Sequence, residues 1–119
     1  MIAVIFEVFP AEGRQDDYLA IAPSLRDDLS KIPGFISVER FGSLTTPGKI
    51  LSVSFFEDEA AVMAWRQTAR HRAAQEAGRA GVFADYRLRV AHVLRDYGMS
   101  ERAEAPDDSR AHHDVLAHS

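Results

Sequence analysis

The residues able to take part in chemistry are few and lie far apart. Glu7 interrupts an apolar run, Met1-Ile-Ala-Val-Ile-Phe-Glu-Val-Phe9. A carboxylate there is costly unless it is paired or solvated. Either it pairs with an arginine such as Arg40 or Arg89, or it lines a pocket as a base with a raised pKa. Trp65 falls on the apolar side of a helical pattern. It is either a core residue or a pocket wall that stacks on a flat aromatic molecule and donates its indole N–H. His71 follows on the same pattern. An imidazole near neutral pKa can take a phenolic proton and raise the electron density of the ring for reaction with O2. The alternative is a helix-end histidine resting on the C-terminal dipole. Tyr86 and His92 share one face of a late alternating strand. Tyr86 is suited to hydrogen-bond a substrate carbonyl; packing is the alternative for both.

Other chemistries find no support. His112, His113 and His118 resemble a metal cluster only by composition. Gathering them from a flexible tail costs chain entropy, so no metal site is expected. There is no Ser-His-Asp arrangement or zinc motif, and Gly78-x-x-Gly81 is too sparse for a phosphate loop. The absence of cysteine excludes disulfides, thiolate metal sites and a cysteine nucleophile. It fits a reducing cytoplasm.

The elements that must position these groups come from one domain's worth of chain. The sequence has 119 residues, 46% hydrophobic and 27% charged, with a net charge of −4. From Met99 onward there are five acids and two bases, which leaves the body nearly neutral. A neutral body offers no electrostatic footprint for nucleic acid or for an anionic membrane. The N-terminal run is too short to span a bilayer and has no basic flank, so it reads as a strand.

Along the chain, Ile2–Phe9 is a strand apolar on both faces, ended by Pro10. Tyr18, Ala22, Leu25, Leu29 and Ile32 form a helical stripe, in which Pro23 predicts a kink or the effective start. Pro33-Gly34 stops the helix. Strands follow over 35–44 and 50–56, joined through Pro47-Gly48. Asp58 is suited to cap a second helix whose apolar side carries Ala61, Val62, Trp65 and Ala69. A final strand is expected over 82–97, and a tail, flexible or packed on a partner subunit, over 98–119. The order is βαββαβ, an α+β ferredoxin-like antiparallel sheet with helices on one face. Phe35 and Phe41 alternate with Ile36 and Val38 so as to fall on the opposite face from them. With β1 apolar on both sides, the second sheet face needs a cover, and the simplest is the same face of a second copy.

The N-terminal run, Ile32-Pro-Gly-Phe-Ile-Ser-Val-Glu-Arg40, Phe55-Phe-Glu-Asp-Glu-Ala-Ala-Val-Met-Ala-Trp65 and His71-Arg-Ala-Ala-Gln75 resemble the antibiotic biosynthesis monooxygenase (ABM) family over roughly residues 1–97. The resemblance implies a dimeric α/β barrel with a pocket between sheet and helices in each subunit. It implies a cofactor-independent monooxygenase acting on a small aromatic phenol, quinol or anthrone with O2. Trp65, Tyr86 and His92 would then contact the substrate, and His71 or Glu7 would take its proton. A non-catalytic dimer that binds a small molecule or a partner is the alternative. The haem-degrading branch is the weaker match. Its strand asparagine falls at Glu7, and its iron-ligating histidine at Gln75, a poor iron ligand.

Overall fold

Ile2, Val4 and Val8 are buried on one side of strand β1 (Ile2–Pro10), which hydrogen-bonds to a neighbour along each edge. The computed structural model describes residues 1–77 and 81–108. After β1 come α1 (Gln15–Ser30), β2 (Phe35–Gly42), β3 (Ile50–Phe56), α2 (Glu59–Ala77) and β4 (Phe83–His92). The strands form one antiparallel sheet in the order β2-β3-β1-β4. This is the expected α+β ferredoxin-like arrangement.

The register assigns each residue to a face. Ile2, Val4, Phe6 and Val8 stand beside Phe56, Ser54, Ser52 and Ile50 of β3. Both helices pack on this side. Leu29 of α1 and Ala61 and Val62 of α2 join Ile2, Val4 and Phe56 in one buried cluster. Tyr18 of α1 joins Val8 and Ile50 in a second. Buried Ser52 and Ser54 lie in the rows between the two clusters.

The other face carries Ala3, Ile5, Glu7 and Phe9 of β1, Leu51, Val53 and Phe55 of β3, and Phe41 of β2. It is mostly apolar, and apart from Ala3, which is buried, its residues on β1 and β3 stay partly accessible, with no helix of the two buried clusters on this side. Two-sided apolar patterning in β1 therefore reflects a sheet with one face packed and one face open.

Three expectations are corrected. Phe35 shares a face with Val38, because the pairing with β3 slips between Phe35 and Ser37. The extra residue, Ile36, is 47% exposed, and Phe35 turns onto Phe56 with ring centroids 5.8 Å apart. Helix α1 begins at Gln15, and Pro23 lies inside it rather than at its start. Asp16 and Asp17 occupy its first turn, where the helix dipole favours acids. Strand β4 ends at His92, because its partner β1 begins opposite it at Ile2. Residues 93–106 follow as irregular chain, with Arg102 stacked over Tyr97.

Local signals hold elsewhere. The Asp58 carboxylate accepts the Ala61 N–H at 2.9 Å, capping α2. The Ser43 hydroxyl accepts the N–H of Thr46 at 3.0 Å and that of Thr45 at 3.3 Å, closing the turn between β2 and β3. Among the described residues no helix is long and apolar enough to cross a membrane.

Candidate functional site

Asp58 fixes where α2 begins, and Ala61 and Val62 fix which side it buries. Trp65, one turn on, is thereby carried onto the helix-side face of the sheet. Its indole lies 6.1 Å from the Phe56 ring at 41°, and it remains partly accessible. Phe56, Ile2 and His92 form one row across β3, β1 and β4. Two strand spacings, about 10 Å, therefore separate Phe56 from His92. Trp65 and His92 belong to the same end of this face.

Tyr86 belongs to the other end. It pairs with Val8, and six residues of strand, about 20 Å, lie between it and His92. Its ring packs 5.6 Å from Phe6 and 6.5 Å from Phe83, and Phe83 in turn meets Tyr18 at 5.7 Å. Between the two ends run Leu88 and Val90. Tyr86, Leu88 and Val90 are 60%, 41% and 51% exposed. The helices sit over β1 and β3, so an apolar row on β4 is left open beside them.

Glu7 is on the opposite face. Its neighbours across the strands are Leu51 and Arg87, and its carboxylate bonds the Arg89 guanidinium at 3.2 Å and the Lys49 ammonium at 3.3 Å. These two cations, Arg89 first, hold its pKa below the ordinary value. A raised-pKa base on the helix side is therefore not what the fold makes of Glu7. It is an ionised carboxylate in an ion cluster on the open face. Arg40, the other partner weighed from the sequence, projects to the helix side, across from Ser52.

Glu7, where the haem-degrading branch has its asparagine, stands on the opposite face of the sheet from Trp65. His71 and Gln75 lie in α2, but their side chains fall outside the described ones. His112, His113 and His118 lie outside the described residues altogether.

Sequence reasoning missed Lys49 as a partner of Glu7, since a turn lysine gives no pattern. It also passed over Ser52 and Ser54. Their alternation with Val53 and Phe55 would have marked a polar seam beneath the helices.

The sequence model of the family described as antibiotic biosynthesis monooxygenase matches residues 1–77. The chain belongs to the antibiotic biosynthesis monooxygenase family. It is 49% identical over 119 residues to the jasmonate monooxygenase ABM of Pyricularia oryzae, covering 98% of this chain and 55% of that protein. This chain thus spans about half the length of that relative. It is 36% identical over 93 residues to the uncharacterized protein YqjZ of Bacillus subtilis, covering 78% of this chain and 79% of that one. Among solved structures, an ABM-family protein from Deinococcus radiodurans superposes with a TM-score of 0.70 at 10% identity, over 82% of this chain and 97% of its own. Rv0793 from Mycobacterium tuberculosis gives 0.68 at 13% identity, over 82% and 98%. At such identities the structures establish the ABM fold alone.

Proposed function

We propose that this ABM protein is a monooxygenase that oxidises a small, ring-bearing, mostly apolar molecule with O2. The observation that carries this reading is the open row Tyr86-Leu88-Val90 beside the helices, within a chain 49% identical to a named monooxygenase. The substrate ring would lie on this row. Tyr86 would donate to a carbonyl at one end, and Trp65 and His92 would bound the other. His71 would take the proton.

The expected substrate is a phenol, quinol or anthrone. Oxidising an anthrone CH2 to a carbonyl with O2 releases one water and balances with no external reductant. No cofactor is then needed, because the deprotonated ring supplies the electrons. The relative's name favours a second reading, a jasmonate-like cyclopentanone acid. Hydroxylating a saturated carbon of such a molecule requires two electrons from an added reductant. Oxygen uptake by metal-free protein, with anthrones and quinols and then with jasmonate plus and minus a reductant, separates the two. Uptake no faster than in protein-free controls across both sets would leave a binding protein without turnover.

We further propose that the protein works as a homodimer in the cytoplasm. Two copies would meet through the open sheet face, where Ile5, Leu51, Val53 and Phe55 are half-buried. Residues 1–97 would form the oxygenase unit and 98–119 a tail.

A further inference from the structure

Two neighbouring rows cross the open sheet face from β2 to β4, and their ends carry charge. One runs Glu39, Val53, Ile5, Arg89, and the next runs Phe41, Leu51, Glu7, Arg87. The β2 edge of this face thus holds an acid and the β4 edge two bases, with Val53 and Ile5 between them. Glu39 is exposed and has no hydrogen bond or ion pair among the described residues. The Arg89 side chain is half-exposed. One of its nitrogens bonds Glu7, and its other donors have no partner among the described residues.

A two-fold axis that lays this face on its own copy runs midway between the two sheets. Aligned sheets keep their strands within about 30° of one another, so the axis lies close to the strand direction or close to its perpendicular. An axis across the strands sets β2 on β2 and β4 on β4. It gathers Glu39 of both copies at one edge and Arg87 and Arg89 of both at the other, like against like. An axis along the strands sets β2 on the partner's β4. Glu39 then faces the partner's Arg89, Val53 the partner's Ile5, and Phe41 the partner's Arg87, a cation against a ring. Each contact is made twice, because the surface is the same on both copies. We propose that two copies pair about an axis along the strands, with Glu39 of each on the partner's Arg89. Packed sheets stand about 10 Å apart, a gap that a glutamate and an arginine side chain span together. This orientation rests on the open face being the dimer contact and adds which edge meets which.

The test is charge reversal in the whole protein, read by sedimentation and native mass spectrometry. Glu39→Lys sets base against base at both contacts and should weaken the dimer at least about tenfold. Arg89→Glu sets acid against acid and should weaken it likewise. An equimolar mixture of the two variants should form heterodimer in excess over both homodimers, because each contact of the mixed pair then joins opposite charges. Arg89→Glu also loses the bond to Glu7 within its own chain, whereas Glu39 has no such partner. Glu39→Lys therefore keeps the test decisive if Arg89→Glu does not fold: its dimer should tighten as sodium chloride screens the repulsion, while the wild-type dimer loosens. A Glu39→Lys dimer as tight as wild type overturns the orientation, as does a mixture with no excess of heterodimer. A wild-type monomer overturns the dimer contact itself, and the orientation falls with it.

Discussion

Gly34 lies so near Ala61 that a Cβ added to the glycine would stand 3.0 Å from the alanine Cβ. Gly34 also has φ +90°, a conformation that L side chains rarely adopt. Its carbonyl accepts the Glu57 N–H at 2.7 Å, just ahead of α2. One glycine thus joins the entry to β2 to the entry to α2, the helix that carries Trp65.

Gly34→Ala should therefore destabilise the fold by about 2–4 kcal/mol, from backbone strain and overpacking together. Urea denaturation would measure it. Pairing it with Ala61→Gly should recover the part owed to crowding and leave the part owed to φ. Full recovery would mean the backbone is unstrained.

Asp58→Ala removes the one side-chain acceptor seen at the start of α2 and should cost about 1 kcal/mol. Asp58→Asn should cost less than half of that, since an amide oxygen can still accept. A larger loss in the asparagine variant would show that charge, not capping, is what matters there.

Glu7 sets an acid limb. Its native pKa is lowered by Arg89 and Lys49. Its contribution to stability is therefore complete above the ordinary glutamate pKa and disappears as pH falls through the lower native value. Wild type should exceed Glu7→Gln in melting temperature near neutral pH, with the gap closing in acid. Parallel curves from neutral pH into acid would show that the two cations do not stabilise the ionised form.

Tyr86→Ala tests the oxygenase reading with little risk to the fold. An exposed side chain at this position should change stability by no more than about 1 kcal/mol. Turnover of any substrate that produces oxygen uptake should fall at least about tenfold, the effect of losing one ring contact and one hydrogen bond. Unchanged kcat/KM would remove Tyr86 from the site.

Leu51→Asp places a charge on the open sheet face, between Glu7 of β1 and Phe41 of β2. Sedimentation should report a dimer for wild type and a monomer for the variant. A wild-type monomer at micromolar concentration would rule out pairing through this face.

Much of the fold was legible because its signals are local. The two-sided apolar run of β1, the Pro47-Gly48 turn and the Asp58 cap each act within a few residues. The misjudged features depend on a neighbour instead. The bulge at Ile36 exists only in the pairing of β2 with β3, and it moved Phe35 across the sheet. Alternation in the last strand continues past His92, but the strand pairing stops there, with one further bond from the Val93 N–H to the Met1 carbonyl at 3.0 Å. The site was legible in part. Trp65, Tyr86 and His92 do share the helix-side face, whereas alternation along β1 puts Glu7 on the other face, and which face the helices cover is decided only by packing.

The sheet order also sets a sequence of events in synthesis. Of the four strands β1 leaves the ribosome before the others, yet Val8 must wait for Ile50, and Ile2 for His92. The first strand of the sheet is thus among the last to be satisfied. Native structure can close only after β4 has emerged, so folding is delayed until almost the whole domain is free, with its most apolar strand in need of shelter until then.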